Sequence, residues 1–283
     1  MKTFLKENFF KFMIGLSALI VSIAILMYVL SIILPPIKQC VNIPDANFKK
    51  YLVGNTDINT NGDKKIQVSE ASAFNGSIYC TNLNISNLKG IEAFTALTEL
   101  NCERNQLTIL DVSKNTALTY LSCDDNSLTN LDVSKNTALI SLNCCNNQLR
   151  SLNVSKNTAL ISLICCANQL TILDVSKNTA LTKLECSVNS LKTLDVSKNT
   201  ALTELSFSHT GLTSLDVSKN TALTELSFRY TQLKSLDVSK NTALISLDCQ
   251  ENQLKSLDVS KNTALISLDC SGNYFDCAAL KSK

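Results

Sequence analysis

Leu110-Asp-Val-Ser-Lys-Asn-Thr-Ala-Leu118 is the first of eight copies of one nine-residue stretch, and each copy begins 21 residues after the previous one. The last copy begins at Leu257, and only the third departs from the pattern, with Asn153 in place of Asp. A fixed period of this length predicts a solenoid, because one unit cannot bury its apolar side alone and must stack on its neighbours.

A second pattern lies between the copies, as in Leu118-x-x-Leu121-x-Cys123-x-x-Asn126-x-Leu128-x-x-Leu131. Each unit therefore holds two stretches of Leu-x-apolar-x-x-Asn, nested as ten residues plus eleven. Over residues 78–276 the chain resembles the bacterial leucine-rich-repeat proteins with nested 21-residue repeats, the IRREKO type. The resemblance implies a right-handed coil with short extended segments on both sides and little helix.

The residues of one unit support a mainly β solenoid. Leu121 and Cys123 alternate with Tyr120, Ser122 and Asp124, a period of two that puts one set in the core and the other in solvent. A recurring Asn is expected to stack from coil to coil and to hydrogen-bond the backbone of the bends. It occurs at Asn105, Asn126, Asn147, Asn168, Asn189, Asn252 and Asn273.

Two neighbouring units break this pattern together. Phe207 and Phe228 replace Cys, while Thr210 and Thr231 replace Asn. A paired change in adjacent coils predicts two rings stacked in the core, with the bend repacked around them.

The N-terminal residues predict a membrane segment. Residues 12–34 are a run of 23 uncharged residues behind a basic tail, 1–11, and the run is long enough to span a bilayer as a helix. We expect an uncleaved signal anchor, with a cleaved signal as the alternative. The protein is then a single-pass membrane protein whose C-terminal domain is extracytoplasmic. A formal charge of +2 argues against nucleic acid as a partner.

Residues 35–77 are expected to form a small cap over the open end of the solenoid, with a helix that begins near Asp45 and runs to Leu52. The following loop resembles an EF-hand and would bind calcium, although position 1 is Asn instead of Asp and Lys64 stands where Gly is expected. The alternative is a structural loop held by Asx-type hydrogen bonds. The proposed ligands are Asn59, Asn61, Asp63, Lys65 and Glu70.

Twelve cysteines in an exported chain would ordinarily suggest disulfides. Eight of them occupy the same inward position in successive units, which predicts a buried ladder of reduced thiols. These are Cys80, Cys102, Cys123, Cys144, Cys165, Cys186, Cys249 and Cys270. Cys145 and Cys166 are expected to point outward in adjacent coils, as a bridge, a reactive patch or merely tolerated residues. Cys277 is a candidate for closing the C-terminal end, where the tail 277–283 begins.

The outward residues of one half of each unit vary freely, whereas Ser-Lys-Asn-Thr-Ala-Leu hardly changes. A varied and mainly acidic strip on a rigid scaffold predicts a surface that binds a protein or a glycan, and the resemblance implies adhesion as the broad class. The alternatives are a structural envelope scaffold and charges that only maintain solubility. The candidate binding residues are Tyr120, Asp124, Lys183, Glu185, Glu204, His209, Glu225, Arg229, Tyr230, Asp248, Gln250 and Asp269.

No catalytic arrangement is expected. His209 is the single histidine, and the sequence contains neither a nucleophile motif nor a glycine-rich phosphate loop. The protein is therefore predicted to be a binding protein without enzymatic activity, and no cofactor other than calcium is suggested.

Overall fold

The computed structural model describes residues 39–277 and the single residue Ser22. The chain divides into two compact units between Cys40 and Val41, and the elements below belong to the second. The predicted transmembrane segment, residues 12–34, lies outside the described residues except for Ser22, as do the basic tail and residues 278–283. In the part of the chain that is described, no helix has the length and apolar character needed to cross a bilayer.

Ten strands of three residues each form one parallel sheet in chain order. Glu99 pairs with Tyr120 and Tyr120 with Ser141, so from β2 onward each step along the sheet advances by one 21-residue unit. The structure is thus a parallel solenoid with 21-residue turns, as the repeat predicts. The strands are β1 (Ser77–Tyr79), β2 (Glu99–Asn101), β3 (Tyr120–Ser122), β4 (Ser141–Asn143), β5 (Ser162–Ile164), β6 (Lys183–Glu185), β7 (Glu204–Ser206), β8 (Glu225–Ser227), β9 (Ser246–Asp248) and β10 (Ser267–Asp269).

The opposite side of each coil differs from the sequence expectation. Over the described residues no second sheet forms there, so the expected extended segments on both sides are wrong in this respect. The backbone turns instead, and the N–H of Asn136 donates to Val133 O at 3.0 Å. The Asn136 side chain then donates to Val112 O at 2.9 Å and to Asn115 O at 2.8 Å in the preceding coil. Side-chain amides, and not a strand ladder, therefore join the coils on this side.

The core is one continuous column of inward side chains. Leu121, Cys123 and Val133 of one unit are completely buried, and their equivalents stack on them in the neighbouring units. At the two irregular units the rings of Phe207 and Phe228 stack with centroids 5.4 Å apart and planes 4° apart. The prediction of two stacked rings is confirmed.

The cap contains helix α1 (Ala46–Gly54) and helix α2 (Val68–Ala73), and a short 3₁₀ helix (Ile91–Ala93) lies between β1 and β2 in the first coil of the solenoid. Asp45 begins α1, because its Oδ1 accepts from the backbone N–H groups of Asn47 and Phe48 at 2.9 and 3.0 Å. Its Oδ2 accepts from the N–H of Ser86 at 2.8 Å, which ties the helix to the start of the solenoid. Leu52 is buried on the apolar side of the helix, as expected.

Two disulfides bear on the cysteine predictions: one corrects the ladder, and the other is the bridge that was one alternative for Cys145 and Cys166. Cys270 is not a reduced member of the ladder, because it is bonded to Cys277. Cys145 is bonded to Cys166 across adjacent coils, with the Cα atoms 4.6 Å apart. Cys145 also does not point outward as expected, since only 3% of it is exposed; the bend that follows β4 turns its side chain toward the next coil.

The other seven ladder cysteines are buried thiols. Burial disfavours the thiolate and raises the pKa of Cys144 and of Cys186 to about 12. These side chains therefore serve as small apolar residues of the core.

Candidate binding surface

The sheet presents a surface of outward side chains, which we call the strand face. It consists of the first and third residues of β2–β10 and the residue two positions after each strand, except Ser122, Cys145 and Ser208, which are buried. In β6, for example, Lys183 and Glu185 point outward while Leu184 is buried. Ten of the twelve candidate binding residues lie on the strand face. They are Tyr120, Lys183, Glu185, Glu204, Glu225, Asp248 and Asp269 within strands, and Asp124, Arg229 and Gln250 just beyond them.

His209 and Tyr230 lie elsewhere, at the edge of the strand face. Each occupies the bend after its strand with a positive φ, 53° and 51°. Their rings stack with centroids 4.6 Å apart and planes 21° apart, and Tyr230 is 53% exposed. The structure therefore places an exposed aromatic pair at the edge of the strand face, in the same two coils that carry the stacked phenylalanines of the core.

Negative charge predominates on the strand face. Lys183 Nζ forms a salt bridge with Glu204 Oε2 at 2.7 Å. This hydrogen bond and the surrounding carboxylates raise the pKa of Lys183. Within the described residues Glu185 and Glu225, which flank this pair, form no salt bridge. Arg229 forms a salt bridge with Asp248 in the same way. The two positive charges in the coils of β6–β9 are thus neutralised by carboxylates of the strand face, and the charge that remains there is negative.

Sequence reasoning missed one residue near the first strands. Tyr79 of β1 is 53% exposed, and its hydroxyl donates to Glu99. Ser77 Oγ donates to the same carboxylate at 2.9 Å. The hydrogen bonds from Tyr79 and Ser77 lower the pKa of Glu99 and keep it charged. The alternation Ile78-Tyr79-Cys80, which matches the repeats that follow, is the signal that could have placed Tyr79 outward.

Four of the five residues proposed as calcium ligands lie in the loop between α1 and α2, and Glu70 lies in the first turn of α2. The side chains of Asn59, Asn61, Asp63 and Glu70 bond to this segment itself. Glu70 Oε1 accepts from the N–H of Asn61 at 3.1 Å, and Oε2 accepts from the N–H of Gln67 at 2.9 Å. Asn59 Nδ2 donates to Asp63 O at 2.7 Å. Among the described residues no group of three or more His, Cys, Asp or Glu side chains is arranged to hold a metal ion.

The remaining side chains of this loop complete the same network. Asn61 Oδ1 accepts from the N–H of Asp63 at 2.8 Å, and Asp63 Oδ1 accepts from the N–H of Lys65 at 2.7 Å. These are Asx-type turns, in which a short side chain caps the backbone two residues on. The buried oxygen of Asn59, Oδ1, has no hydrogen-bond partner.

Comparison with known proteins relates the chain to bacterial leucine-rich-repeat proteins. No protein-family model matches it, and no curated protein sequence matches it. Among solved structures, the InlJ functional domain of Listeria monocytogenes, described as including a cysteine ladder, is 29% identical with a TM-score of 0.50, covering 83% of this chain and 71% of that one.

Two further solved structures share the fold. An internalin of Listeria monocytogenes, InlF, is 21% identical with a TM-score of 0.77, covering 85% of this chain and 73% of that one. A leucine-rich-repeat protein of Leptospira interrogans is 23% identical with a TM-score of 0.56, covering 65% and 57%. The structural neighbours are thus bacterial leucine-rich-repeat proteins, internalins among them.

Proposed function

We propose that this protein is a leucine-rich-repeat binding protein without enzymatic activity, and that its strand face holds a protein partner whose contacting surface is basic. The observation that carries the proposal is the contrast between the two sides of one rigid coil. The strand face varies from unit to unit and is mainly acidic, while the turn side repeats Val-Ser-Lys-Asn-Thr-Ala-Leu in all eight copies. Opposite charge at an interface increases the association rate and favours basic partners over acidic ones. The broad class is adhesion or contact between proteins at a surface.

Photo-crosslinking from two positions of one coil tests this proposal. Glu225 on the strand face and Lys234 on the turn side are both exposed. Each is replaced in turn by the photoreactive residue benzoylphenylalanine, and the full-length variant is expressed in its native host cells. A specific adduct from position 225 and none from position 234 is the expected result. Adducts of equal yield at both positions would favour the alternative of an envelope scaffold, and adducts only with glycan would change the partner class.

We further propose that residues 12–34 anchor the protein in a membrane and that the solenoid lies outside the cytoplasm. The uncharged run is long enough to span a bilayer. The bonded pairs Cys145–Cys166 and Cys270–Cys277 suit an oxidising compartment. Protease added to intact cells should remove a C-terminal tag. The control is a cytoplasmic protein in the same cells, which the protease should leave intact. A tag that is protected even after permeabilisation of the outermost barrier would contradict this topology.

For the cap loop, we propose a structural role that does not require calcium. Glu70 would have to give up hydrogen bonds from two backbone N–H groups to become a bidentate ligand. We expect millimolar calcium to change the thermal midpoint of the purified protein by less than about 1 °C, because a ligand that does not bind the folded state does not stabilise it. A rise of several degrees that disappears in Glu70→Gln would identify a calcium site instead.

A further inference from the structure

The strand face has an uncharged centre. Of the coils that contribute to the strand face, only those of β4 and β5 place no charged side chain on it: they contribute Ser141 and Asn143, and Ser162, Ile164 and Cys166. Ile164 is the single aliphatic residue at an outward position of the ten described strands. An interruption of this kind, confined to two adjacent coils, separates two charged stretches of the surface.

The charged stretches lie on both sides of this centre. Ser122 of β3 pairs in register with Asn143 and donates a hydrogen bond to Glu103 of the preceding coil at 2.5 Å. Asp124 lies two residues after Ser122. On the other side Ile164 pairs with Glu185 of β6, and Glu204 of β7 follows. The neutral centre is therefore enclosed by carboxylates along the solenoid axis.

Ile164 and the half-buried Cys166 are the apolar side chains of the neutral centre. The Cys145–Cys166 disulfide lies just beyond β4 and β5, on the coil segment that contains Ile164. Parallel pairing continues past the strand ends there, since Asn146 N donates to Cys166 O at 3.0 Å. At the opposite ends of the same two strands, Ile140 and Ile161 are neighbours, 43% and 44% exposed. Ile140, Ile161, Ile164 and Cys166, which is the more exposed half of the disulfide, are called the central patch below.

The disulfide also makes this patch rigid. It joins covalently the two coils that carry the patch, on a backbone already held by the in-register sheet. A preorganised surface loses less conformational entropy when a partner binds. An apolar centre with a polar rim is the arrangement in which a few anchor side chains contribute most of the binding free energy.

We propose that the central patch is the docking site for an apolar side chain of a protein segment whose flanking residues are basic. This inference rests on the proposed function and specifies its partner. The apolar anchor packs on Ile164 and the disulfide, while lysine or arginine residues on either side of the anchor meet the carboxylates of β2–β3 and β6–β8. Charge complementarity thus sets the orientation of the segment along the solenoid axis.

Labelled peptides of equal length test the proposal with the full-length protein. The first peptide has two lysines on each side of two adjacent phenylalanines. In the second peptide serines replace the phenylalanines, and in the third glutamates replace the lysines. Fluorescence anisotropy measures the dissociation constant of each. We expect the first peptide to bind at least fivefold more tightly than the second and the third not to bind.

Two matched variants locate the effect. Ile164→Ser places at β5 a residue that other coils already have at this position, as at Ser206 and Ser227, so the fold should be retained. Ile172→Ser changes an isoleucine of the same coil that is 73% exposed on the turn side. The ratio of the dissociation constants of the serine and phenylalanine peptides should fall to about one in Ile164→Ser and stay at its native value in Ile172→Ser.

The possible outcomes separate the two proposals. If both basic peptides bind equally to the native protein, or if Ile164→Ser keeps the preference, the docking site is overturned while the acidic strand face stands. If neither basic peptide binds, the proposal of a basic partner fails as well. Retention of the preference in Ile172→Ser with its loss in Ile164→Ser supports the docking site.

Discussion

The bend after each strand uses an uncommon backbone conformation. Its residue has a positive φ in eight successive coils, and none of the eight is glycine. They are Arg104, Asp125, Asn146, Ala167, Val188, His209, Tyr230 and Glu251, whereas the last coil has Gly272. For a residue with a Cβ atom this conformation costs about 1–2 kcal/mol, and asparagine tolerates it better than β-branched residues do. Each of these coils therefore contains one strained backbone residue, which lies in the bend at the edge of the strand face.

Val188 offers a direct measure of that strain. It is β-branched, its φ is 55°, and it is 50% exposed, so little buried surface would be lost on replacement. We expect Val188→Asn to raise the free energy of unfolding by about 1 kcal/mol, because asparagine adopts this conformation more easily. Chemical denaturation measures the change. Val188→Thr keeps the branched side chain and is the control; an equal gain in both variants would show that strain is not the cause.

The buried ladder cysteines should react slowly with alkylating reagents. Burial raises the pKa of Cys80 and Cys249 to about 12 and that of Cys123 well above its ordinary value. Only the thiolate reacts readily with an alkylating reagent. We expect the seven buried ladder thiols to remain unlabelled by N-ethylmaleimide at pH 8 in the native protein and to be labelled in guanidinium. Peptide mass spectrometry resolves each site. Native labelling of Cys123 at the rate seen in guanidinium would contradict a closed core.

At the scale of elements, the strand side and the turn side of a coil are held by different bonds. Strand residues pair backbone to backbone, as in β3 with β4. On the turn side Asp132 Oδ1 accepts from the N–H of Ser134 at 2.8 Å, an Asx turn repeated in the other units. The aspartate at the second position of the nine-residue repeat therefore stabilises the turn, because its carboxylate accepts a hydrogen bond from the backbone N–H two residues further on.

Acid should weaken these turns. The backbone and side-chain hydrogen bonds from the following serine lower the pKa of each aspartate named below. A carboxylate with a depressed folded pKa contributes stability above its unfolded value, about 3.9, and that stability is lost as pH falls through the folded value. The thermal midpoint should stay level from pH 7 to pH 5 and fall below pH 4. The aspartates are Asp132, Asp174, Asp195, Asp216 and Asp237.

Asn153 supplies the matched comparison, because its Oδ1 accepts from the N–H of Ser155 at 3.0 Å without a titrating group. In a triple variant, Asp174→Asn with Asp195→Asn and Asp216→Asn, the loss of stability below pH 4 should be shallower than in the native protein. A midpoint that falls equally steeply in the two proteins would assign the acid sensitivity to other carboxylates.

At the scale of the whole molecule, stability is distributed along a column in which each coil contacts its neighbours. Such solenoids lose or gain whole units with local consequences only, since each unit has the same interface. The nested sequence pattern suggests that half-units are equivalent, but the structure gives them different roles, strand and turn. A half-unit should therefore not replace another half-unit.

Deletion of residues 174–194 removes one 21-residue unit and joins Leu173 to Asp195, a junction that the repeat already contains. We expect a folded protein with a smaller denaturant dependence of unfolding, in proportion to the surface removed. Deletion of residues 174–183 joins Leu173 to Leu184 and brings a strand onto the turn side, so we expect aggregation or loss of circular-dichroism signal. Equal stability of the two deletions would show that the half-units are interchangeable.

Sequence periodicity was sufficient to predict the solenoid, its 21-residue step, the inward residues and ten members of the strand face. Periodicity decides these features, because a strict repeat aligns the same residue in every coil and a period of two separates inside from outside. Leu121, Cys123 and the stacked pair Phe207–Phe228 follow from this rule.

The stacking of the coils was needed to show which half of a unit forms strands, which cysteines are bonded, and that His209 and Tyr230 meet at the bend. These features depend on the direction of a side chain after a bend and on distances between coils. A one-dimensional period contains neither quantity. The central patch is such a feature as well, since Ile164 and the Cys145–Cys166 disulfide form one surface only when the coils are stacked.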